Sequence, residues 1–257
     1  MRISFDLHTH TVYSHGTGLI EDNARSAKEK GLKGIAITDH GFSHPVYGMR
    51  RKKLDEMREH CSIAERESGV SVLLGIESNI RGESGIIDVV PKDYEKLDVV
   101  LAGIHKFIVC DRFKDFHNMM IVDNLWDIFK WKPSDRLIKY NTRCYINAIE
   151  NHPIDVITHV NFGAPCDVVE VAKCARDYGT YIEISTKKTH MSDEQWRKVI
   201  DTGVLFVVDS DAHSPDRIAD GALAEKLFER VEFPMDRIMN IDGRVPTLRF
   251  SEFKKHL

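Results

Sequence analysis

Asp6-Leu7-His8-Thr9-His10-Thr11-Val12-Tyr13-Ser14-His15-Gly16 brings three imidazoles into eight consecutive positions near the start of the chain. The residues before it, Ile3-Ser4-Phe5, favour an extended backbone. The two-residue period of a strand then sets Asp6, His8 and His10 on one face. Two neutral imidazoles on one face can grip one ion, so this stretch asks for a metal.

Further along, one arrangement recurs: a short apolar run followed at its C-terminal end by a residue of metal-ligand type. Residues 34–38 lead into Asp39-His40-Gly41, 70–76 into Glu77, 97–104 into His105, 154–158 into His159, and 204–208 into Asp209-Ser210-Asp211-Ala212-His213. The run 180–185 carries Glu183 on the same side as Tyr181 and Ser185, as an expected hydrogen-bond acceptor behind the ligands. Helical spacing fills the gaps. Ile20, Ala24 and Ala27 precede a stop at Gly31; Leu54, Met57, Cys61 and Ala64 mark a helix over 50–68; Asp167 caps 168–178, which Gly179 closes; Ser192 caps 193–202. A last helix is expected over 218–231, followed by a tail, 233–257, in which no chemistry is evident.

Seven strands alternating with helices predict a parallel α/β sheet in one domain. Candidates leave nearly every strand at its C-terminal end, whereas an open doubly wound sheet gathers ligands in one crevice. The expected fold is therefore a distorted seven-stranded (β/α)7 TIM-like barrel, for which 257 residues suffice.

Composition narrows the function classes. With 42% hydrophobic and 30% charged residues the chain is an ordinary globular protein with an ample core. A net charge of −4 offers no global attraction to nucleic acid or anionic lipid. The start has no apolar leader region and no later run is long enough for a membrane span, so a cytoplasmic protein is expected. Five cysteines without C-x-x-C spacing indicate neither a disulfide framework nor a thiolate zinc site.

In order, the motifs His8-Thr9-His10 with Ser14-His15, Thr38-Asp39-His40-Gly41, Gly75-Ile76-Glu77-Ser78-Asn79-Ile80, Ala102-Gly103-Ile104-His105, Ile157-Thr158-His159 and Asp209-Ser210-Asp211-Ala212-His213 resemble the PHP (polymerase and histidinol phosphatase) superfamily, and within it the YcdX-like phosphatases with three metals. That resemblance implies nine ligands for three divalent transition-metal ions. His8, His10, Glu77 and Asp211 would hold the first; Glu77, as a bridge, would join His105 and His159 on the second; His15, His40 and His213 would hold the third. Imidazole with carboxylate suits zinc, the leading candidate, as well as manganese and iron. Two ions about 3.5–4 Å apart can share a hydroxide already ionised near neutral pH, with Glu77 and Asp211 as supporting carboxylates, which makes phosphate ester hydrolysis the expected reaction. This sequence departs from the family pattern after His159, where Val160-Asn161-Phe162-Gly163 stands in place of the usual proline-glycine.

The expected activity is a metal-dependent hydrolase of a small phosphorylated metabolite, histidinol phosphate being one such monoester. Rival classes are a phosphodiesterase or exonuclease on nucleic acid, for which the chain lacks an extended basic stripe, and a non-catalytic metal-stabilised binding module, which would have lost ligands. His44 and Arg50 follow the second strand and are candidate substrate contacts, Arg50 through a bidentate grip on phosphate. The 53 residues between His105 and His159 exceed one βα unit and hold eight aromatic residues. About 111–139 is thus expected to be an insertion over the active face, either a lid or an oligomer interface.

Overall fold

The computed structural model describes residues 1–257. Its seven strands are β1 (Phe5–Thr9), β2 (Gly34–Ile37), β3 (Ser71–Asn79), β4 (Val99–Gly103), β5 (Val156–Ile157), β6 (Tyr181–Ser185) and β7 (Phe206–Asp209). All neighbouring pairs run parallel and the spatial order is the sequence order, the singly wound arrangement of a barrel. The principal helices are α1 (Ile20–Glu29), α2 (Leu54–Ser68), α3 (Phe113–Asp115), α4 (Asp123–Phe129), α5 (Asp135–Asn151), α6 (Val168–Tyr178), α7 (Asp193–Asp201), α8 (Ala222–Phe228) and α9 (Arg249–Lys254). This is the expected seven-stranded α/β barrel in one domain.

Two apolar layers build it. Eight buried residues from six strands, among them Phe5, Leu7, Val99, Leu101 and Val207, pack on one another and fill the lumen. Alternate strand residues such as Ile35, Val100, Ile182 and Val208 join 56 buried residues between the sheet and its helices. Closure between β1 and β7 relies on the tail that had no evident role. Asn240 donates from Nδ2 to the carbonyls of Phe5 (2.7 Å) and Val208 (2.8 Å) and accepts Val208 N–H at 2.8 Å. Higher up, Thr9 and Ala212 bridge directly, with His10 N–H donating to the Ala212 carbonyl. The ring of strand ends is drawn together where the candidate ligands emerge.

Three expectations need correction. In β1 the pairing advances from Asp6 to Thr9 while β2 advances only from Ile35 to Ile37, so one extra residue forms a bulge. The bulge turns His8 toward Glu77 and Glu183. Asp6 faces elsewhere, accepting the backbone N–H groups of Ser210 and Ala219. The helix expected over 218–231 spans only Ala222–Phe228, its start delayed because Ala219 takes a left-handed φ of +54° to reach Asp6, and it is not the last, since α9 follows in the tail. The helix before β5 starts at Asp135 behind a Ser134 cap, so the added segment ends before 139. That segment runs through a π-helical turn, Phe116–Val122, between α3 and α4. It is anchored by Asp115, which accepts from Tyr140 Oη at 2.6 Å, and by Asp123, which accepts from Asn141 at 2.9 Å.

Candidate metal centre

Glu77 leaves the end of β3 fully buried, and five histidines stand around its carboxylate. His105 Nε2 lies 2.9 Å and His159 Nε2 2.7 Å from Oε1; His40 Nδ1 lies 2.8 Å from Oε2. His8 Nε2 is 3.3 Å from Oε1 and His10 Nε2 3.7 Å from Oε2. Asp211 adds a second carboxylate, with Oδ1 3.2 Å from His10 Nε2 and 3.8 Å from His8 Nε2. These residues come from six different strand ends, so only the closed ring brings them together.

The donor set fits divalent metal ions. His8 Nδ1 lies 2.6 Å from Glu183 Oε1, and a carboxylate there can only accept, so Nδ1 carries a proton and, in the neutral ring that a metal binds, Nε2 presents the lone pair. That lone pair faces His10 Nε2 at 3.1 Å and the oxygens of Glu77 and Asp211. Lone pairs held so close repel unless a proton or a metal ion lies between them. Donor atoms about 2.1 Å from a shared tetrahedral ion stand about 3.4 Å apart, close to the spacings found here. Glu77 Oε2, His40 Nδ1 and Asp211 Oδ1 are buried with no hydrogen-bond partner of acceptable geometry, although each has a polar neighbour within about 3.2 Å.

Three groups have donor atoms within 4.8 Å of one another: His8, His10 and Asp211; His40, Glu77 and His105; and His10, His40 and His213. Only the first lies within the division that the family resemblance implied; the second includes His40 and the third includes His10, each of which the resemblance assigned to a different ion. His40 faces Glu77 as well as the outer histidines, so the groups overlap through His10 and His40. His15 completes the outer side, its ring stacked on His40 with centroids 4.8 Å apart and 4.2 Å from His213.

Without an ion, the cluster's electrostatics divide by position. Burial pulls His8 and His159 down, but the Glu77 and Glu183 carboxylates outweigh it and hold both above the usual imidazole range. Burial dominates at His10 and His105, which are held below it, and brings His15 down to about 4 with help from His213 and His40. Burial also opposes ionisation of Glu77, yet His105, His8 and His40 keep its carboxyl far below the ordinary range. Glu77 is thus kept charged, while His10, His15 and His105 are kept neutral and available as ligands.

The surrounding backbone is shaped for these positions. His159 and Asp211 have φ of +28° and +47°, a left-handed conformation that costs a non-glycine residue about 1–3 kcal/mol. Asp39 accepts from Thr11 N–H and Oγ1 and from Ser14 Oγ, pinning the loop that delivers His15. At Gly103 a methyl group would stand 2.9 Å from His159 Cε1 and 2.4 Å from Thr158 Oγ1, so glycine leaves room for the ligand ring.

A cleft of about 310 Å³ opens over the cluster, lined by His15, His40, His105, His159, Asp211 and His213 on one side and by Phe162, Ser185, Lys187, Lys188 and His190 on the other. The two candidate substrate contacts do not line it. His44 Nδ1 accepts from Val46 and Tyr47 N–H and so caps its own turn, and Arg50 is exposed before a short 3-10 turn. Lys187 does line the cleft: its Nζ lies 3.1 Å from Asp211 Oδ2 and 3.2 Å from His213 Nδ1. It follows β6 at its C-terminal end, the position that marks functional residues in such barrels.

Fold and site together define a class, the α/β barrel with a histidine and carboxylate cluster at the C-terminal mouth of its strands. The chain belongs to the PHP domain family, whose model matches residues 6–187. It is 32% identical over 254 residues to a probable phosphatase of Caldanaerobacter subterraneus subsp. tengcongensis, covering 93% of this chain and 88% of that protein. Among solved structures it resembles the histidinol phosphate phosphatase of Lactococcus lactis subsp. lactis, solved with zinc, L-histidinol and phosphate. The TM-score is 0.58 at 12% identity, over 95% of this chain and 99% of that one. A chain of archaeal ribonuclease P shares the fold equally well, with a TM-score of 0.57 at 13% identity over 98% of this chain and 92% of that one. The barrel alone therefore does not choose between functions, and the site must.

Proposed function

We propose that this protein is a metal-dependent phosphatase that hydrolyses small phosphomonoesters. The carrying observation is Glu77, whose two oxygens each lie within 3 Å of imidazole nitrogens from different strands while Oε2 lacks any hydrogen bond. Its probable-phosphatase relatives and the zinc-bound histidinol phosphate phosphatase support the reading. His8, His10 and Asp211 would hold one ion, Glu77 with His105 and His159 a second, and His15, His40 and His213 a third, with zinc the leading candidate and manganese or iron alternatives. Bound there, divalent ions would supply Lewis-acid activation of water and charge neutralisation at phosphorus.

The chain's own residues do the rest. Glu183 fixes His8 as the Nδ1–H tautomer, and Asp39 positions the His15 loop. Lys187 is placed to donate to a phosphoryl oxygen beside Asp211, a charge-assisted contact. In the reaction, water oxygen bonds to phosphorus, the ester P–O bond breaks, and the alcohol oxygen leaves with the electron pair and takes up a proton.

The test is purification after metal-replete growth, elemental analysis, and assay against phenyl phosphate and a panel of phosphorylated metabolites with each metal. The reading expects two to three transition-metal ions per chain and metal-dependent release of inorganic phosphate. A chain that binds no metal under these conditions would overturn it. Failure on monoesters with turnover of bis-aryl phosphodiesters would reassign the activity.

A further inference from the structure

Two lysines line the cleft in different settings. Lys187 reaches back into the cluster, against Asp211 and His213. Lys188, the next residue, lines both the main cleft and a recess shared with His159, Glu183, His190 and Trp196. Its ammonium makes no ion pair and no side-chain hydrogen bond, and Glu183 in the same recess is committed to His8 Nδ1 and His159 N–H. By contrast, nearby Lys106 is matched by Asp127. Phe162 is the one apolar side chain of the cleft, with its ring 4.8 Å from that of His190 and 5.1 Å from that of His159.

These settings assign parts of a substrate. The phosphoryl group belongs with the cluster and Lys187, so the leaving half must extend across the Phe162 and His190 rings, which suit a flat group. Lys188, which lines the same cleft and shares the recess with His190, brings an unpaired ammonium to it. An uncompensated cation favours an anion there and offers nothing to a neutral group. We propose that Lys188 is a specificity-determining residue, and that the preferred substrates are phosphomonoesters whose leaving half is planar and carries a second anionic group, a carboxylate or another phosphate. The proposal rests on the phosphatase reading above.

A matched series of esters tests it: phenyl phosphate, its 3- and 4-carboxy derivatives, the neutral carbamoyl analogues, and the corresponding phenylene bisphosphates. The metal-loaded protein should favour the doubly anionic esters over the neutral ones in kcat/KM, chiefly through KM. Lys188→Ala should shrink that preference about tenfold, Lys188→Gln should do the same, and Lys188→Arg should restore most of it. The carboxy and bisphosphate arms tell which anion fits better. Absence of any preference in the unaltered protein, or a preference that Lys188→Ala leaves intact, overturns the proposal. If no ester is hydrolysed, it is the phosphatase reading that fails. Calorimetric binding of the same esters to the metal-loaded protein then still measures the charge preference and its dependence on Lys188.

Discussion

His8 Nδ1 and Glu183 Oε1 stand 2.6 Å apart in a fully buried contact between β1 and β6. The other oxygen, Oε2, accepts His159 N–H at 2.6 Å, so one carboxylate orients candidate ligands from two strands. Glu183→Gln cannot serve both, because its amide NH2 must face one of two donors. Such outer partners typically contribute 10–100-fold in metal affinity. A loss of about that size is expected in chelator competition, with the far-ultraviolet circular dichroism unchanged. Unaltered affinity would show that His8 needs no such support.

Gly103 makes a second, independent handle on the same ligands. A methyl at this position meets Thr158 Oγ1 and His159 Cε1 inside 3 Å, and the strand backbone on either side is held by its ladder. Gly103→Ala should push the His159 ring off Glu77, weakening metal retention and activity together while global stability falls by only about 1–3 kcal/mol, the range for overpacking. Full metal content in this variant would mean that His159 is not a ligand.

The cluster of candidate ligands was legible because each candidate residue follows an apolar run, and strand ends converge only in a closed ring. What sequence could not supply were features that depend on contacts distant in the chain. Asn240 plugs the gap between β1 and β7 from a tail with no periodic signal, and its partners are 32 and 235 residues away. The β1 bulge that frees His8 from the alternation with Asp6 is invisible in a two-residue pattern. Lys187 and Lys188 had a usable signal, their place just beyond β6, but Arg50 sits in the equivalent region after β2 and offers the better phosphate fork. Only the cleft distinguishes them.

The added segment after β4 should tune substrate choice at its tip and support folding at its base. Asp115 and Asp123 anchor the base to α5, whereas Ile128, Phe129 and Trp131 at the tip are exposed and Asp127 pairs with Lys106 beside Phe162. Replacing 124–133 with a short Gly-Ser loop should therefore change relative rates across a metabolite panel by severalfold and leave phenyl phosphate least affected. An equal loss on every ester would assign the tip to stability instead.

Asp123 gives a pH signature unconnected with metal. Burial raises its carboxyl to about 7, with Asn141 as a partial offset. The folded state therefore holds a proton that the unfolded chain, with a pKa near 3.9, releases. Stability from this group is full below about pH 4, falls as pH rises toward 7, and is constant above. Asp123→Asn should remove that slope. The difference in unfolding free energy, variant minus unaltered protein, should climb between about pH 4 and 7 at no more than ~1.4 kcal/mol per pH unit and level off above. A flat difference in urea titrations would show that Asp123 is ionised throughout.

The most decisive test concerns Glu77, since it alone faces the histidines of every proposed ion. Glu77→Gln preserves shape but removes a negative charge from the midst of His8, His40, His105 and His159 and replaces one ligand oxygen with an amide nitrogen that has no lone pair free for a metal. Depletion of at least one ion and a fall in hydrolysis of several orders of magnitude are expected, with the barrel retained because the lumen layer below is untouched. His213→Ala, at the outer edge, should release mainly one ion and leave more residual activity. Elemental analysis beside turnover for both variants separates the cases. If Glu77→Gln kept its full metal content and near-normal rate, the shared carboxylate would not be the centre of the site.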